Sequence, residues 1–76
     1  MNTWWVDYTF TYEYFNNETG EWEQFCDGDA RRFHCTKKNI KEEVTKHIVT
    51  YELQGEQYRN LLVTINDKYI TTDSEV

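Results

Sequence analysis

Cys26, His34, Cys35 and His47 are the residue types that close a tetrahedral zinc site, two thiolates with two imidazoles. Their spacing does not suit one. Structural zinc sites usually close on a tight pair of ligands with about two to four residues between them, and His34 and Cys35, adjacent in an extended segment, point to opposite faces. His47 falls within an apolar helical stripe, where a ring packed on aromatics with one hydrogen-bond partner is the ordinary state. We therefore expect no metal and no cofactor. Covalent catalysis finds no better footing, because the single serine, Ser74, stands near the C-terminus and there is no glycine-rich phosphate loop. The thiol of Cys26 adjoins Asp27, whose charge disfavours a thiolate. Acid–base work by paired carboxylates needs a pocket that drives their pKa values apart. A chain of 76 residues removes only roughly 60% of its unfolded surface from water and has little depth for such a pocket. We expect no enzyme.

Charge and aromatic rings remain. The stretch WWVDYTFTYEYF, residues 4 to 15, crowds Trp4, Trp5, Tyr8, Phe10, Tyr12, Tyr14 and Phe15 into one segment of a chain with a net charge of −6. Residues 1 to 30 contain Asp7, Glu13, Glu18, Glu21, Glu23, Asp27 and Asp29 and no Lys or Arg. Residues 31 to 46 reverse the sign, with Arg31, Arg32, Lys37, Lys38, Lys41 and Lys46 against Glu42 and Glu43. The molecule should be a strong dipole. An acidic surface repels phosphate and attracts a basic protein surface, so we expect no direct nucleic-acid binding and a protein partner with a basic surface. The candidate contacts are Trp5, Glu13, Glu18, Glu21, Trp22, Glu23, Asp27 and Asp29. The same carboxylates also read as a solvated, solubilising face. The basic stretch reads as compensation within the fold, Glu42 standing four residues before Lys46 in the favourable helical order.

These residues need elements to hold them. Trp4, Val6, Tyr8, Phe10, Tyr12 and Tyr14 alternate with Trp5, Asp7, Thr9, Thr11 and Glu13, which predicts a long strand with one buried face. Asn16, Asn17, Glu18, Thr19 and Gly20 supply a hairpin loop, and Glu21 to Cys26 returns as a second strand. Asp27, Gly28 and Asp29 read as a turn into a short third strand, Arg31 to Thr36. Ile40, Val44, His47, Ile48 and Tyr51 then recur at helical spacing. The helix starts at Asn39, paired with Glu42 as a capping box, or a turn earlier at Thr36, and it stops at Gly55. Tyr58 to Ile65 is a further strand. Asn66, Asp67 and Lys68 turn the chain into a last short one, Tyr69 to Thr72, with Asp73 to Val76 a frayed tail.

The fold class is thus α+β, a single domain over residues 1 to 76: an antiparallel sheet of four to five strands with one helix packed on one face. One helix cannot cover both faces, so one of the paired indoles Trp4 and Trp5 should end near solvent. No apolar run spans a bilayer and no signal peptide is recognisable at the N-terminus, so we expect a cytoplasmic protein without a membrane.

In size, charge and aromatic hairpin the chain resembles the small acidic α+β proteins that bacteriophages and mobile elements use as inhibitors, anti-CRISPR proteins among them. The resemblance implies a protein that occupies the nucleic-acid-binding groove of a larger partner in the host cytoplasm, carboxylates standing where phosphates would be. The alternative is a structural or assembly protein that self-associates through an exposed aromatic face or an edge strand, including the long first one. A monomer fits the first reading and a homodimer the second.

Overall fold

The computed structural model describes residues 1–71; Thr72, the expected end of the last strand, and Asp73 to Val76, expected to fray, lie outside the described residues. Three strands, β1 (Asn2–Asn16), β2 (Glu21–Cys35) and β3 (Tyr58–Ile70), form one antiparallel sheet in the order β2-β1-β3. A helical segment joins β2 to β3: a 3-10 turn at Lys37–Asn39, the helix α1 (Ile40–His47) and a π turn at Ile48–Glu52. The fold is α+β with a single helix on one sheet face, as the alternation and the change of period predict. The molecule is a rod, 50 Å long and 20 Å across each way. Among the described residues no helix is long and apolar enough to cross a membrane.

The sheet has three strands instead of the expected four or five, because two sequences that read as turns lie within strands. Asp27, Gly28 and Asp29 pair straight on with Phe10, Thr9 and Tyr8. Gly28 serves close approach: a Cβ there would stand 3.0 Å from the Thr9 methyl and 3.1 Å from the Tyr8 carbonyl oxygen. Each aspartate bends back on its own strand, Asp27 Oδ1 accepting from the Gly28 N–H and Asp29 Oδ1 from the Ala30 N–H, both at 2.8 Å. Asp67 Oδ1 likewise accepts from the Lys68 N–H at 2.8 Å, so Asn66 to Lys68 form a bulge in β3 and not a turn. A second register shift lies between the rows of Thr11 and Glu13, where Asn60 has a positive φ of 57°. The strands therefore simply run longer than their turn-forming residues suggest.

The expected hairpin forms between Asn16 and Glu21. Asn16 Oδ1 accepts from the Glu18 N–H at 2.9 Å, the Gly20 N–H donates to the Asn16 carbonyl at 2.7 Å, and Gly20 takes the left-handed φ of 75°. Both expected starts are used, Thr36 preceding the 3-10 turn and Asn39 preceding α1 itself; neither makes a side-chain capping bond, so the expected capping box is not formed.

Trp4, Val6, Tyr8, Phe10 and Tyr12 of β1 are buried with Val63, Cys35, Ile40, Val44, Ile48 and Leu53. The Trp4 indole N–H donates to the Cys35 carbonyl at 3.2 Å, tying the start of β1 to the end of β2. Of the predicted helical stripe, Tyr51 is exposed and Leu53 is buried in its place. The reason is the π turn: the Leu53 N–H reaches the Ile48 carbonyl five residues back, at 3.1 Å, and the wider turn rotates Tyr51 off the sheet.

This packing predicts unequal costs for truncating adjacent residues. Ile48→Ala removes a fully buried side chain and should cost about 2–4 kcal/mol. Val49→Ala removes a side chain exposed on the outer side and should cost less than about 0.5 kcal/mol. Urea denaturation followed by circular dichroism reads both, and equal costs would contradict the assigned face.

Candidate partner-binding surface

Length sets what the helix can hide. Lys37–Glu52, at about 1.5 Å per residue, reaches roughly 24 Å. The fifteen residues of β1 or β2, at about 3.3 Å each, reach roughly 50 Å. The helical segment covers the rows around Trp4 to Phe10, and the irregular stretch 53–57 carries the chain on to Tyr58. The hairpin half of the sheet thus projects past its cover, and among the described residues no element packs over the face opposite the helix.

Pairing fixes which expected contact residues share a face. Glu21, Glu23, Asp27 and Asp29 stand opposite Asn16, Tyr14, Phe10 and Tyr8, on the helix side of the sheet. Glu18 sits in the hairpin loop between the two strands. Trp5, Glu13 and Trp22 belong to the other face, opposite Arg32, Gln24 and Phe15 respectively. The eight candidates therefore divide into four carboxylates on one face, Glu18 in the loop, and Trp5, Glu13 and Trp22 on the other face.

On the uncovered face the aromatics are already engaged. Arg59 lies 4.1 Å from the centre of the Trp22 ring, and Phe15 meets that ring edge-on at 5.5 Å. The same Arg59 donates to Glu13 Oε1 at 2.7 Å, and the Asn60 amide donates to that oxygen at 2.8 Å. These two hydrogen bonds, Arg59's the stronger, hold the Glu13 carboxyl below its ordinary value. Trp5, half-buried, lies under Arg32 at 5.9 Å and faces Tyr69 across the sheet. Of the two indoles, one of which is expected near solvent, Trp4 is buried and Trp5 only half-buried.

The helix-side row is different. Asp29 is bonded to Arg31 at 2.9 Å, and Glu23 accepts from the Tyr14 hydroxyl at 2.8 Å and the Asn16 amide at 3.2 Å. Glu18, Glu21 and Asp27 are exposed. Residues 12–29 and 52–58 together contain eight carboxylates, Glu52 and Glu56 completing the set, with no Lys or Arg. Burial and then the charge of Asp29 push the Tyr8 hydroxyl up from its ordinary pKa, while burial followed by Glu56, Glu52 and Asp27 does the same to Tyr12. Along the rod the carboxylates gather at the hairpin end, and Lys37 and Lys38 lie at the other, just beyond the close of β2.

Sequence reasoning missed the rings among these charges. Phe25 stands between Glu23 and Asp27 on the same face, opposite Tyr12, with Tyr14 and Tyr58 paired beside it. The parity of Phe25 with Glu23 and Asp27 was the available signal, masked by the expected break at Asp27. Phe25 is 40% and Tyr58 36% exposed.

The zinc-type residues do not converge. Cys26 and Cys35 lie nine positions apart on one strand, hence about 30 Å, and on opposite faces. Cys35 is buried and its thiol pushed up by that burial, whereas Cys26 is exposed. Among the described residues no group of His, Cys, Asp and Glu is placed to hold a metal ion. His47 is packed between Phe33 at 5.7 Å and Tyr51 at 4.8 Å, with its Nε2 buried and unbonded, beside a shallow cleft of about 270 Å³ that Glu43 and Lys46 also line.

The Glu13 bonds carry a pH signature. A carboxyl whose folded pKa lies below its unfolded one stabilises the fold above the unfolded value, near 4.5, and that contribution disappears as pH falls through the folded value. Glu13→Gln should accordingly lower the melting temperature at pH 7, and the difference from the parent should shrink as pH falls below the unfolded value and vanish once Glu13 is protonated in the folded state as well. A difference that persists at low pH would mean the bonds do not depend on ionised Glu13. Compared with known protein families, curated proteins and solved structures, the chain matches none.

Proposed function

We propose that this is a non-enzymatic protein-binding module whose acidic hairpin end occupies a basic groove of a larger protein, a groove shaped to hold nucleic acid. The observation that carries the reading is the helix-side row of β2. Glu21, Glu23, Asp27 and Asp29 repeat at two-residue spacing along one face with Phe25 in the central position. Alternate residues of a strand stand about 6.7 Å apart, a separation of the same order as that of successive phosphates on an extended nucleic-acid strand. Arg and Lys side chains arranged to hold phosphate also hold carboxylate, arginine in a bidentate fork. Glu21, Glu23 and Phe25 lie past the end of the helical segment, and Asp27 and Asp29, beside the rows it covers, stay exposed on the edge strand, where a groove can reach them. In this the protein acts as the small acidic phage-type inhibitors it resembles are expected to act.

A second reading draws support from the uncovered face, where Trp5 is joined by Leu62 and Tyr69, both more than half exposed. A second copy of the chain would cover them. The edge-strand form of self-association has less to rest on: β1 is the central strand, with both sides paired, and the outward amides of Gly28 and Ala30 on β2 already bond to Asp27 and Asp29.

Glu18→Lys combined with Glu21→Lys reverses two exposed charges that make no side-chain ion pair with any described residue. A labelled oligoarginine peptide, titrated by fluorescence anisotropy, should bind the parent in a salt-sensitive way. It should bind the reversed protein at least about tenfold more weakly, the loss falling mainly on association rate. The melting temperature should be nearly unchanged. Lys37→Glu with Lys38→Glu should not weaken binding. Undiminished peptide binding by the acidic reversal, or binding of a single-stranded oligonucleotide that is lost on reversing Lys37 and Lys38, would overturn the reading. Light scattering at two salt concentrations separates the second reading, because a salt-tolerant dimer would favour it.

A further inference from the structure

The four rings at the hairpin end form one continuous patch across all three strands. Tyr12 lies at the centre, 5.3 Å from Phe25, 6.4 Å from Tyr14 and 6.5 Å from Tyr58 between ring centroids. Phe10 stacks beneath it at 6.1 Å and closes the patch toward the core. Phe25 and Tyr58 remain exposed although both face the side that the helix covers elsewhere, since the helical segment ends short of them.

The charges around this patch have one sign. Glu23 and Asp27 flank Phe25 on the same strand face, each about 6.7 Å away. Glu23 is held in place by the Tyr14 hydroxyl and the Asn16 amide. Glu52 and Glu56 close the β3 side, where the Glu56 N–H donates to the Leu53 carbonyl at 3.0 Å and the Phe15 N–H to the Gln57 carbonyl at 3.1 Å. Their nearness to the rings is felt electrostatically: Glu56 and Glu52 act on the Tyr12 hydroxyl, and Glu23 and then Glu56 on that of Tyr14. The nearest arginine along β3, Arg59, stands opposite Glu13 on the other face of the sheet and bonds there.

An aromatic floor with an acidic rim and no internal cation is complementary to a cation that also has an apolar plane. We infer that the Tyr12, Tyr14, Phe25 and Tyr58 patch is a seat for an arginine side chain of the partner protein, its guanidinium lying on Phe25 and forking to Glu23 or Asp27 while its aliphatic stem crosses Tyr12 toward Tyr58. Guanidinium suits the seat better than ammonium because it is planar, more weakly hydrated and able to stack on a ring while donating in its own plane to carboxylates. The free protein contains the same pairing on its opposite face, where Arg59 stacks on Trp22 and bonds Glu13. This inference rests on the proposed binding of a basic partner and adds to it a fixed anchor point, distinct from the diffuse attraction of the carboxylate row.

Two probes separate anchor from attraction: a short arginine-containing peptide, and the same peptide with that arginine replaced by citrulline, its uncharged isostere. In isotope-labelled protein the arginine peptide should shift the ring resonances of Tyr12, Phe25 and Tyr58, and the citrulline peptide should not. Phe25→Leu and Tyr58→Leu keep apolar bulk at exposed positions and should each weaken the arginine peptide by about two- to fivefold. Glu18→Lys with Glu21→Lys should weaken the peptide while leaving its ring shifts at saturation in place. Equal binding of the citrulline peptide, or arginine binding unmoved by both ring substitutions, would overturn the seat while leaving the carboxylate-row reading standing. Failure of the arginine peptide to bind the parent at low salt would overturn both.

Discussion

A helix rises less than half as far per residue as a strand, and the rest of this structure follows from that mismatch. Strands β1 and β2 extend to the full 50 Å of the molecule, while the connection between β2 and β3 spends its residues on a compact helical segment. Aliphatic side chains that need dry surroundings, Ile40, Val44, Ile48 and Leu53, gather where the helix lies, over Val6, Tyr8 and Phe10. Beyond that point the sheet has no aliphatic layer to bury itself against. Aromatic rings take over there, because Tyr12, Phe25, Tyr14 and Tyr58 cover one another laterally across the strands, as Phe15 and Trp22 do on the reverse side. The crowd of rings at the start of the chain is thus divided between a covered core and an uncovered arm.

An uncovered arm of this kind risks pairing with a neighbour along its edges. Both edges are blunted by the same device, a side-chain carboxylate turned onto the next outward amide, at Asp27 and Asp29 on β2 and at Asp67 on β3. The β3 edge is further interrupted by two register shifts. Asp27 and Asp29 therefore serve twice, as local guards of backbone amides and as members of the negative row. The repulsion within that row is a cost the fold accepts; Asp29 is relieved by Arg31, and Glu13 on the far side by Arg59. The carboxylates without a cationic partner among the described residues, Glu18, Glu21, Glu23, Asp27, Glu52 and Glu56 with the rings between, are where the arm differs most from an ordinary solvated surface.

Much of the fold was legible in the residues. Period-two alternation from Trp4 to Tyr14, the Asn16 to Gly20 loop and the Ile40, Val44, Ile48 spacing each mark an element that forms where they place it. The errors have a common origin in local chemistry outweighed by long pairing. Asp-Gly-Asp and Asn-Asp-Lys are good turn sequences in isolation, yet here the neighbouring strand supplies a continuous ladder, and the aspartates find their amide partners without a turn. Tyr51 was misplaced because a π turn cannot be read from apolar periodicity. The surface was half legible: the carboxylates were visible as a charge block, but which of them share a face depends on β2 running unbroken through Gly28. Once the strand was divided at Asp27, Phe25 lost its place between Glu23 and Asp27, and Glu13 and Trp22 were grouped with residues from which the sheet separates them.

The central claim is that the hairpin half stands as ordered sheet without a helix over it and without a partner. Amide hydrogen exchange in the free protein, read residue by residue by NMR, tests this most directly. If lateral ring contacts suffice, the central-strand amides of Tyr12, Glu13 and Tyr14 will be protected to the same order as those of Val6 and Tyr8 beneath the helix. Exchange of Tyr12, Glu13 and Tyr14 at the rate of an unstructured chain, with Val6 and Tyr8 still protected, would contradict the claim and leave neither the carboxylate row nor the arginine seat with a surface to stand on.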